Sequence, residues 1–363
     1  MNHILAQENY AAEKDNSAEL SPAPADDGYL MAQTGGGHSG RIAEALTGEE
    51  NAAHFSARGR YEQLLKHCTL CPRHCGVDRL AGQTGFCGAG EPVRVALVSL
   101  HPWEEPCLVG EKGAGTVFFS GCNLRCVFCQ NSVISSGGQG EEVSVERLAE
   151  IFLEQEERGA ATLDLVTPTH YAPQIAAALT LAKARGLTLP VVWNSGGYET
   201  AETVGFIAPL IDIFLPDLKY YSAETAGAYS KAPDYFAMAS AAITRMVKEK
   251  GPLQFGADGR LQRGVIVRHL VLPGHRRDSM ALVKWLWQSF GDSIQLSLMS
   301  QYTPMYRAKE IKPLNRRLTT FEYQSVVSYA QELGITRCYV QERTSAKEEY
   351  VPDFDGSGVR KGV

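Results

Sequence analysis

The sequence has no apolar run long enough to cross a membrane. A spanning helix needs about 20 consecutive apolar residues, and the apolar stretches of this chain are all shorter. Its first residues, MNHILAQENYAAEKD, also lack the continuous apolar segment that a secretory signal requires. These two absences predict a cytoplasmic protein with no membrane partner.

An excess of positive charge is absent as well. The 363 residues include 35 Lys and Arg against 41 Asp and Glu, which gives a formal net charge of −6. Surfaces that bind nucleic acid are typically broad basic faces, so we expect no nucleic acid partner. The hydrophobic content of 44% is enough for a full core, and an α/β barrel of roughly 200–250 residues would fit within the chain.

Large apolar side chains are scarce in residues 1–57, which are rich in Ala, Glu, Asp, Ser, Pro and Gly. Such a segment cannot bury enough surface to offset the entropy cost of ordering. We therefore expect a disordered arm at 1–57 and a cysteine-rich extension at 58–114. A core domain at 115–345 and a tail at 346–363 complete the predicted organisation.

From Gly115 onward, short β-rich runs alternate with segments of helical periodicity. The β-rich runs lie at residues 115–121, 162–168, 189–196, 211–219, 264–274, 294–304 and 337–342. The helical segments between them include residues 145–157, 172–184, 199–211, 279–290 and 321–333. Repeated strand–helix units predict an α/β fold with a parallel sheet, either open and doubly wound or a full or partial barrel. In both arrangements, functional side chains gather at the carboxyl ends of the strands.

Seven of the nine cysteines fall in two compact groups, which favours metal or redox chemistry over disulfides in a reducing compartment. Cys122, Cys126 and Cys129 form a C-x3-C-x2-C motif directly after a predicted strand. Three thiolates on a short loop can bind three irons of a four-iron cluster and leave the fourth iron open to a ligand. A zinc site that lacks one ligand and unrelated core cysteines are the alternatives.

The motif, the aromatic Phe128 before its last cysteine and the preceding strand resemble the signature of the radical S-adenosylmethionine (SAM) superfamily. The longer run GTVFFSGCNLRCVFCQN is similar to the branch related to pyruvate formate-lyase activating enzyme, among its PflX-type homologues. The resemblance implies a parallel (β/α) barrel, a four-iron–four-sulfur cluster on the three cysteines and SAM at the open iron. It also implies reductive cleavage of SAM to a 5′-deoxyadenosyl radical, which abstracts hydrogen from a protein or small-molecule substrate. An electron donor such as flavodoxin or ferredoxin, and the specific activity of a glycyl-radical activase, belong to the same resemblance.

Two further segments extend the resemblance to SAM-binding residues. The run VWNSGGYE followed by IDIFLPDLK is similar to an activating-enzyme stretch that ends in Asp-x-Lys, and VIVRHLVLPG is similar to the strand whose arginine contacts the SAM carboxylate. A planar guanidinium suits bidentate binding of a carboxylate. The cofactor-binding residues implied in this way are Phe128, Asn194, Ser195, Gly196, Gly197, Asp217, Lys219 and Arg268. A purely structural ion pair at a strand end is the alternative for Asp217 and Lys219, and a structural arginine is the alternative for Arg268.

One segment departs from the family pattern. Activating enzymes carry Gly-Gly-Glu after the second strand, where it receives the SAM amino group, whereas this chain has VTPTHY at 166–171. Thr167, Thr169 and His170 are the polar side chains available there, and His170 is either a ligand contact or a packed histidine at a helix start. The difference argues against pyruvate formate-lyase as the substrate.

The second cysteine group lies upstream. Cys68, Cys71, Cys75 and Cys87 form C-x2-C-x3-C-x11-C within 20 residues. Four thiolates complete the shell of a zinc ion or of a second four-iron cluster, so the spacing predicts a structural or electron-transfer site without selecting the metal. Free structural cysteines are the alternative. A zinc-stabilised, non-catalytic binding module is accordingly the competing function for the whole chain.

Between the two cysteine groups, Glu104 and Glu105 precede Pro106. A carboxyl pair serves as an acid or base at neutral pH only if burial raises its pKa. The simpler expectation is a solvated pair with no catalytic role.

Overall fold

The computed structural model describes residues 2–4, 61–341 and 352–361. Within these ranges the strands, in chain order, are β1 (Asn2–Ile4), β2 (Val93–His101), β3 (Ala114–Phe119), β4 (Glu141–Val143), β5 (Leu163–Val166), β6 (Val191–Ser195), β7 (Ile213–Pro216), β8 (Gln254–Phe255), β9 (Leu261–Leu270), β10 (Gln295–Met299) and β11 (Cys338–Gln341). Each of the seven predicted β-rich runs overlaps a strand, although β3 and β9 begin before their runs.

Helices connect successive strands. They are α1 (61–66), α2 (Ser132–Ser135), α3 (Val145–Glu157), α4 (Ala172–Ala184), α5 (Ala201–Ile207), α6 (Ala223–Ser230), α7 (Tyr235–Lys250), α8 (Arg276–Phe290) and α9 (Thr320–Glu332). Local capping fixes their starts: Ser144 accepts a hydrogen bond from the Arg147 backbone N–H at 3.1 Å and begins α3 at its predicted residue. No helix in the described ranges has both the length and the apolar character needed to cross a bilayer.

The strands form one sheet in the order β1-β11-β10-β9-β7-β6-β5-β3-β2-β4, with β8 paired to β9. Pairing is parallel from β3 through β11 along this path, while β2, β4 and β1 add antiparallel strands at the two sides. Within the described part of the chain the outermost strands β1 and β4 do not pair with each other. The predicted α/β fold with a parallel sheet is therefore confirmed, and the sheet is open.

The open sheet is curved into a partial barrel. Alternate residues of a strand face opposite sides, and in β6 Trp193 packs in the large core shared with the helices, whereas Val192 belongs to a separate cluster on the other face. That cluster joins Val192 to Ile266 of β9 and Tyr339 of β11. Contact between strands that are several positions apart in the sheet requires the sheet to curve around this face.

The loop between β2 and β3 closes the lower end of the curved sheet. Its residues Cys107 and Leu108 are buried in the concave cluster. The Cys107 carbonyl accepts a hydrogen bond from the Leu261 backbone N–H at 3.0 Å, and the Leu108 carbonyl accepts one from Thr162 Oγ1 at 3.1 Å. Because Thr162 and Leu261 stand at the amino ends of β5 and β9, this loop plugs the end of the barrel opposite the predicted site.

Two chain segments outside the core domain add to the sheet. Residues 2–4 of the predicted disordered arm form β1, and the rest of that arm lies outside the described residues. In the tail, the Ser357 carbonyl accepts a hydrogen bond from the Val98 backbone N–H at 3.0 Å, and Phe354 packs edge-on against Phe118 with 5.5 Å between ring centres. The tail therefore packs against the β2–β3 region of the sheet.

Candidate active site

The cysteine triad lies on the loop that follows β3, at the carboxyl end of the sheet. Gly121 turns the chain there with a φ of +89°, and a Cβ at this position would lie 2.7 Å from the carbonyl oxygen of Cys87. Only glycine fits such a conformation and approach without strain. The turn directs Cys122, Cys126 and Cys129 into a half-buried loop beside the upstream cysteine segment.

Each triad sulfur has a hydrogen-bond partner. Cys126 Sγ accepts from Ser230 Oγ at 2.9 Å, and Cys129 Sγ lies 3.3 Å from Ser135 Oγ. Cys122 Sγ accepts from the backbone N–H two residues later, at 3.4 Å. Burial, followed by the neighbouring Cys126, raises the pKa of Cys122 to about 12. A bound metal reverses this tendency because a coordinating thiol is deprotonated.

The donor set of the triad suits a four-iron cluster with one open position. Across the described ranges, no three His, Cys, Asp or Glu side chains converge on a position for one metal ion. A four-iron cluster does not require such convergence, because each thiolate binds a different iron. Three thiolates with hydrogen-bonded sulfurs, on a loop at the carboxyl end of a parallel sheet, match the donor set of a cluster with one open iron.

Charged side chains at the carboxyl ends of β6, β7 and β9 lie next to this loop. Lys219 forms an ion pair with Asp217, whose other oxygen accepts from Arg268 Nε at 3.2 Å, and a second guanidinium nitrogen of Arg268 donates to the Asn194 side chain. Although burial alone would raise the pKa of Asp217, Lys219 and Arg268 outweigh it and lower that pKa. The predicted site residues Asn194, Asp217, Lys219 and Arg268 are thus brought together in one network.

The network is adjacent to the triad. A Cβ added at Gly196 would lie 3.2 Å from Leu124 Cδ1 in the cysteine loop. Lys219 also lies within electrostatic range of Cys126. Burial lowers the pKa of Lys219, but Asp217 and Cys126 outweigh burial, so the pKa is raised. A ligand bound at an open iron would therefore be flanked by Lys219 and the Gly196–Gly197 turn.

Tyr235 supports this turn and was not singled out from the sequence. Its hydroxyl donates toward the carbonyls of Gly196 and Asp217, at 2.9 and 2.8 Å, and accepts from the Lys219 backbone N–H at 3.0 Å. Gly197 has a φ of +75°, and a Cβ there would collide with the Asp217 carbonyl. Glycine at 197 and a buried tyrosine at the start of α7 together fix the position of the β6 and β7 ends.

Ser195 has a different environment from its neighbours. Its hydroxyl donates to Glu199 at 2.7 Å, and the same buried carboxylate accepts from Trp193 Nε1 and Thr169 Oγ1, each at 2.8 Å. Burial raises the pKa of Glu199. The Ser195 hydroxyl also accepts a hydrogen bond from the Gly197 backbone N–H at 3.3 Å, so this side chain ties the turn to Glu199 within the fold.

The Phe128 ring is part of an aromatic group beside the triad. It packs edge-on against Tyr302 and Tyr220, with ring centres 6.1 and 6.4 Å away. Tyr220 in turn shares a 2.7 Å hydrogen bond with Ser230, the partner of Cys126. The aromatic group therefore packs behind the cysteine loop and is partly exposed at Phe128.

The VTPTHY segment places its polar groups inside the protein. The Thr167 backbone, at a φ of +59°, donates to the Asn194 carbonyl at 2.8 Å. His170 is buried, and its Nε2 lies 2.8 Å from the Ser120 carbonyl at the start of the cysteine loop. Burial lowers the pKa of His170 to about 4, so the ring is neutral. Of the two predictions for His170, the packed histidine is the one that agrees with the structure.

The expectation of a solvated glutamate pair is wrong. Glu105 is 6% exposed, and Glu104 Oε2 lies 3.4 Å from a guanidinium nitrogen of Arg268. The plug loop carries both into the barrel, where the carboxyl groups of Glu104, Glu105 and Asp164 lie close enough to influence one another's pKa. Burial raises the pKa of each of the three carboxyl groups to about 7. With these raised pKa values, the three carboxyl groups hold protons near neutral pH.

The four upstream cysteines line a single cavity. Cys68, Cys71, Cys75 and Cys87 surround it, together with Arg73, Arg79, Phe86 and His170 and several apolar residues. Its volume is about 10 Å³, which is close to the minimum that holds one water molecule. The structure therefore brings together all four residues of the predicted second site.

Two solved structures are similar to part of this chain. SuiB of Streptococcus suis bound to S-adenosylmethionine is 12% identical, with a TM-score of 0.42 over 63% of this chain and 50% of that one. The protein anSMEcpe with bound AdoMet is 14% identical, with a TM-score of 0.42 over 59% of this chain and 57% of that one. The chain thus spans about half the length of these solved structures.

An uncharacterized protein of Methanocaldococcus jannaschii is 29% identical over 290 residues, which cover 77% of this chain and 78% of the relative. The family model described as the radical SAM superfamily matches residues 116–284. That segment begins in β3, includes the triad, the Asn194–Gly197 turn, Asp217, Lys219 and Arg268, and ends in α8. The match therefore supports membership of the radical SAM superfamily for this chain.

Proposed function

We propose that this protein reductively cleaves SAM with a four-iron cluster held by Cys122, Cys126 and Cys129. The observation that carries the proposal is the contact between the triad loop and the charged network at the ends of β6, β7 and β9. When bound, the cluster supplies the electron that splits SAM into methionine and a 5′-deoxyadenosyl radical. The superfamily match supports this chemistry over a non-catalytic zinc module.

The network suits the two ends of the methionine part of SAM. Arg268 is oriented by Asp217 and Asn194 and keeps its charge, because the surrounding carboxylates outweigh the effect of burial and raise its pKa. A fixed guanidinium is a good partner for the SAM carboxylate. Asp217 is a suitable acceptor for the amino group, and the backbone of the Gly196–Gly197 turn permits close approach of the ligand.

The hydrogen abstracted by the radical comes, in this proposal, from a protein or small-molecule substrate that enters at the same end of the barrel. A glycyl-radical enzyme is the specific substrate that the resemblance to activating enzymes favours. The electron source is a low-potential donor of the flavodoxin or ferredoxin kind, and all nine cysteines are free, which supports a reducing, cytoplasmic location.

The test is anaerobic reconstitution followed by reduction in the presence of SAM. We expect at least about four irons per chain, a brown protein, and production of 5′-deoxyadenosine that requires both SAM and reductant. The matched control is Cys338→Ala, which removes a buried cysteine outside both groups and should keep iron and activity. A colourless protein that binds zinc alone would leave the non-catalytic module as the better explanation.

A further inference from the structure

We infer that Asp164 is a positioning residue for the SAM carboxylate, because it orients the Asn194 amide, which in turn fixes the guanidinium of Arg268. The inference rests on the proposed function, in which Arg268 binds that carboxylate. Asp164 is fully buried within β5. Its neighbours Leu163 and Leu165 pack in the large core shared with the helices, so Asp164 faces the concave side of the sheet. A buried carboxyl group is costly unless it is hydrogen-bonded, and its partner there is Asn194.

The guanidinium of Arg268 is held on all three of its nitrogens. Nε donates to Asp217 at 3.2 Å, one terminal nitrogen donates to Glu104 at 3.4 Å, and the other donates to the side-chain oxygen of Asn194. Each terminal nitrogen also carries a second N–H group. A ligand carboxylate can bind those two N–H groups together only while the guanidinium keeps its orientation.

Asn194 holds Arg268 only when its amide is turned one way. An arginine donates hydrogen bonds and accepts none, whereas an asparagine amide accepts through its oxygen and donates through its nitrogen. The amide nitrogen of Asn194 donates to Asp164 Oδ2 at 3.1 Å, which turns the amide oxygen toward Arg268. Asp164 therefore selects the orientation of the amide that binds the guanidinium.

The backbone of Asn194 is fixed by the same strand. Asn194 pairs in register with Val166 of β5, and its carbonyl accepts a hydrogen bond from the Thr167 backbone N–H at 2.8 Å. The Asn194 side chain is buried, so it has little access to water as an alternative partner. Rotation of the amide is the freedom that remains, and the hydrogen bond to Asp164 removes it.

The role of Asp164 requires an acceptor more than a full negative charge. Burial raises the pKa of Asp164 to about 7, although the hydrogen bond from Asn194 and the charge of Arg268 oppose the rise. A carboxyl group that is protonated on one oxygen still accepts a hydrogen bond on the other. An asparagine at position 164 also offers an acceptor oxygen, whereas an aliphatic side chain offers none.

The experiment measures SAM binding to the full chain after anaerobic reconstitution. Asp164→Val keeps a branched side chain that suits a buried strand but removes the acceptor, so SAM affinity should fall about 5-fold. Asp164→Asn should stay within about 2-fold of the wild type. Asp212→Ala is the matched control, because Asp212 accepts a hydrogen bond from the Val191 backbone N–H at the opposite end of β6. The SAM affinity of this control should match the wild type.

A double-mutant cycle separates positioning from a general loss of structure. In an Arg268→Ala background there is no guanidinium to orient, so adding Asp164→Val should change SAM affinity by less than about 2-fold. Decarboxylated SAM lacks the group that Arg268 binds, and it should bind to Asp164→Val as tightly as to the wild type. The inference would be overturned by an equal loss in both backgrounds, by the same loss for decarboxylated SAM, or by equal losses in Asp164→Asn and Asp164→Val.

Folding and the proposed function are checked separately. The urea midpoint and the iron content show whether each variant is folded and loaded, and Asp164→Ala takes the place of Asp164→Val if the valine prevents folding. If Arg268→Ala alone left SAM affinity unchanged, the proposed role of Arg268 would be wrong. If Arg268→Ala weakened SAM binding and the variant without an acceptor at 164 did not, the inference about Asp164 alone would be wrong.

Discussion

The two cysteine groups touch each other, yet their surroundings differ. Cys126 Sγ accepts a hydrogen bond from the Ser230 hydroxyl, and the triad loop lies beside a network of charged residues. The upstream thiols instead line a small cavity that Arg73 and Arg79 also line. Three cysteines beside a charged network are the arrangement that we propose for binding SAM. Four cysteines around a small cavity are predicted to hold a structural or electron-transfer metal. The comparison teaches that the surroundings of two cysteine groups, as well as the number of ligands, distinguish the roles proposed for them.

The largest effect is expected from breaking the triad alone. Cys126→Ala removes one of three iron ligands, so 5′-deoxyadenosine production should fall to background while the upstream metal remains. Single-turnover assays by chromatography, combined with iron counts, measure both quantities. Full production by this variant would show that the triad does not bind the reactive cluster.

Next in size is the loss of the guanidinium in the charged network. Arg268→Ala should weaken SAM binding by about 1.5–3 kcal/mol, the range for a hydrogen bond to a charged group, which corresponds to about 10- to 150-fold in the dissociation constant. Equilibrium binding to the reconstituted protein measures it. Arg263→Ala removes an arginine of the same strand that donates to the carbonyls of Lys250 and Glu249, and its SAM affinity should match the wild type. Equal affinities in both variants would mean that another residue binds the carboxylate.

A smaller effect concerns the carboxyl group beneath Arg268. Burial raises the pKa of Glu105 from 4.5 to about 7, with Arg268 opposing and Glu104 adding to the rise. Between these two values the unfolded chain binds fewer protons than the folded one, so this group lowers stability as pH rises through that window. Glu105→Gln lacks this titrating group. The urea midpoint of unfolding of the variant should therefore rise relative to that of the wild type as the pH increases from about 5 to about 8.

Glu322 provides the control of opposite sign. Its hydrogen bonds with Arg316 lower the pKa of Glu322 strongly, so its carboxylate stabilises the fold above pH 4.5 and this contribution is lost on acidification. Glu322→Gln should therefore lose stability at neutral pH relative to acid. If the stability of both variants relative to the wild type changed with pH in the same direction, the environments described for Glu105 and Glu322 would be wrong.

The smallest expected effect is on redox potential. Ser230→Ala removes the hydroxyl that donates to Cys126 Sγ. Hydrogen bonds to cluster sulfurs raise the reduction potential, so the triad cluster of this variant should have a lower midpoint potential with its iron count unchanged. Redox titration followed by electron paramagnetic resonance measures it, with Ser279→Ala, a buried serine of α8 that donates to the His275 carbonyl, as the control. An unchanged potential in Ser230→Ala would mean that this hydroxyl does not contribute to the difference between the two cysteine groups.

Features that depend on neighbours in sequence could be predicted. The helix at 145–157 agrees with α3 residue for residue, because its apolar period and Ser144 cap are both local signals. The run at 189–196 contains β6 (Val191–Ser195), with two residues before the strand and one after it. The two cysteine groups were also visible, since their spacings are short. The assembly of Asn194, Asp217, Lys219 and Arg268 followed from the rule that carboxyl ends of parallel strands meet.

Features that depend on distant packing could not be predicted. Nothing near Glu104 and Glu105 in the sequence indicates that their loop enters the barrel and brings them to Asp164. Tyr235 is one of 15 tyrosines, and its role at the Gly196 turn depends on where α7 packs. Ser195 was predicted as a cofactor-binding residue of the turn, and the hydrogen bond from its hydroxyl to Glu199 was not foreseen. Whether a polar side chain is buried depends on packing between elements that are far apart in the sequence. Short sequence patterns do not reveal such packing.

The loop that plugs the barrel has a kinetic consequence. Cys107 and Leu108 close the amino ends of β5 and β9. Within the described residues, a ligand therefore reaches the charged network from the carboxyl end of the barrel. A molecule bound at the charged network is then covered by a second molecule that binds afterwards at the same end of the barrel. Binding should consequently be sequential, with SAM first and the hydrogen donor second, and methionine should be trapped until the larger product leaves.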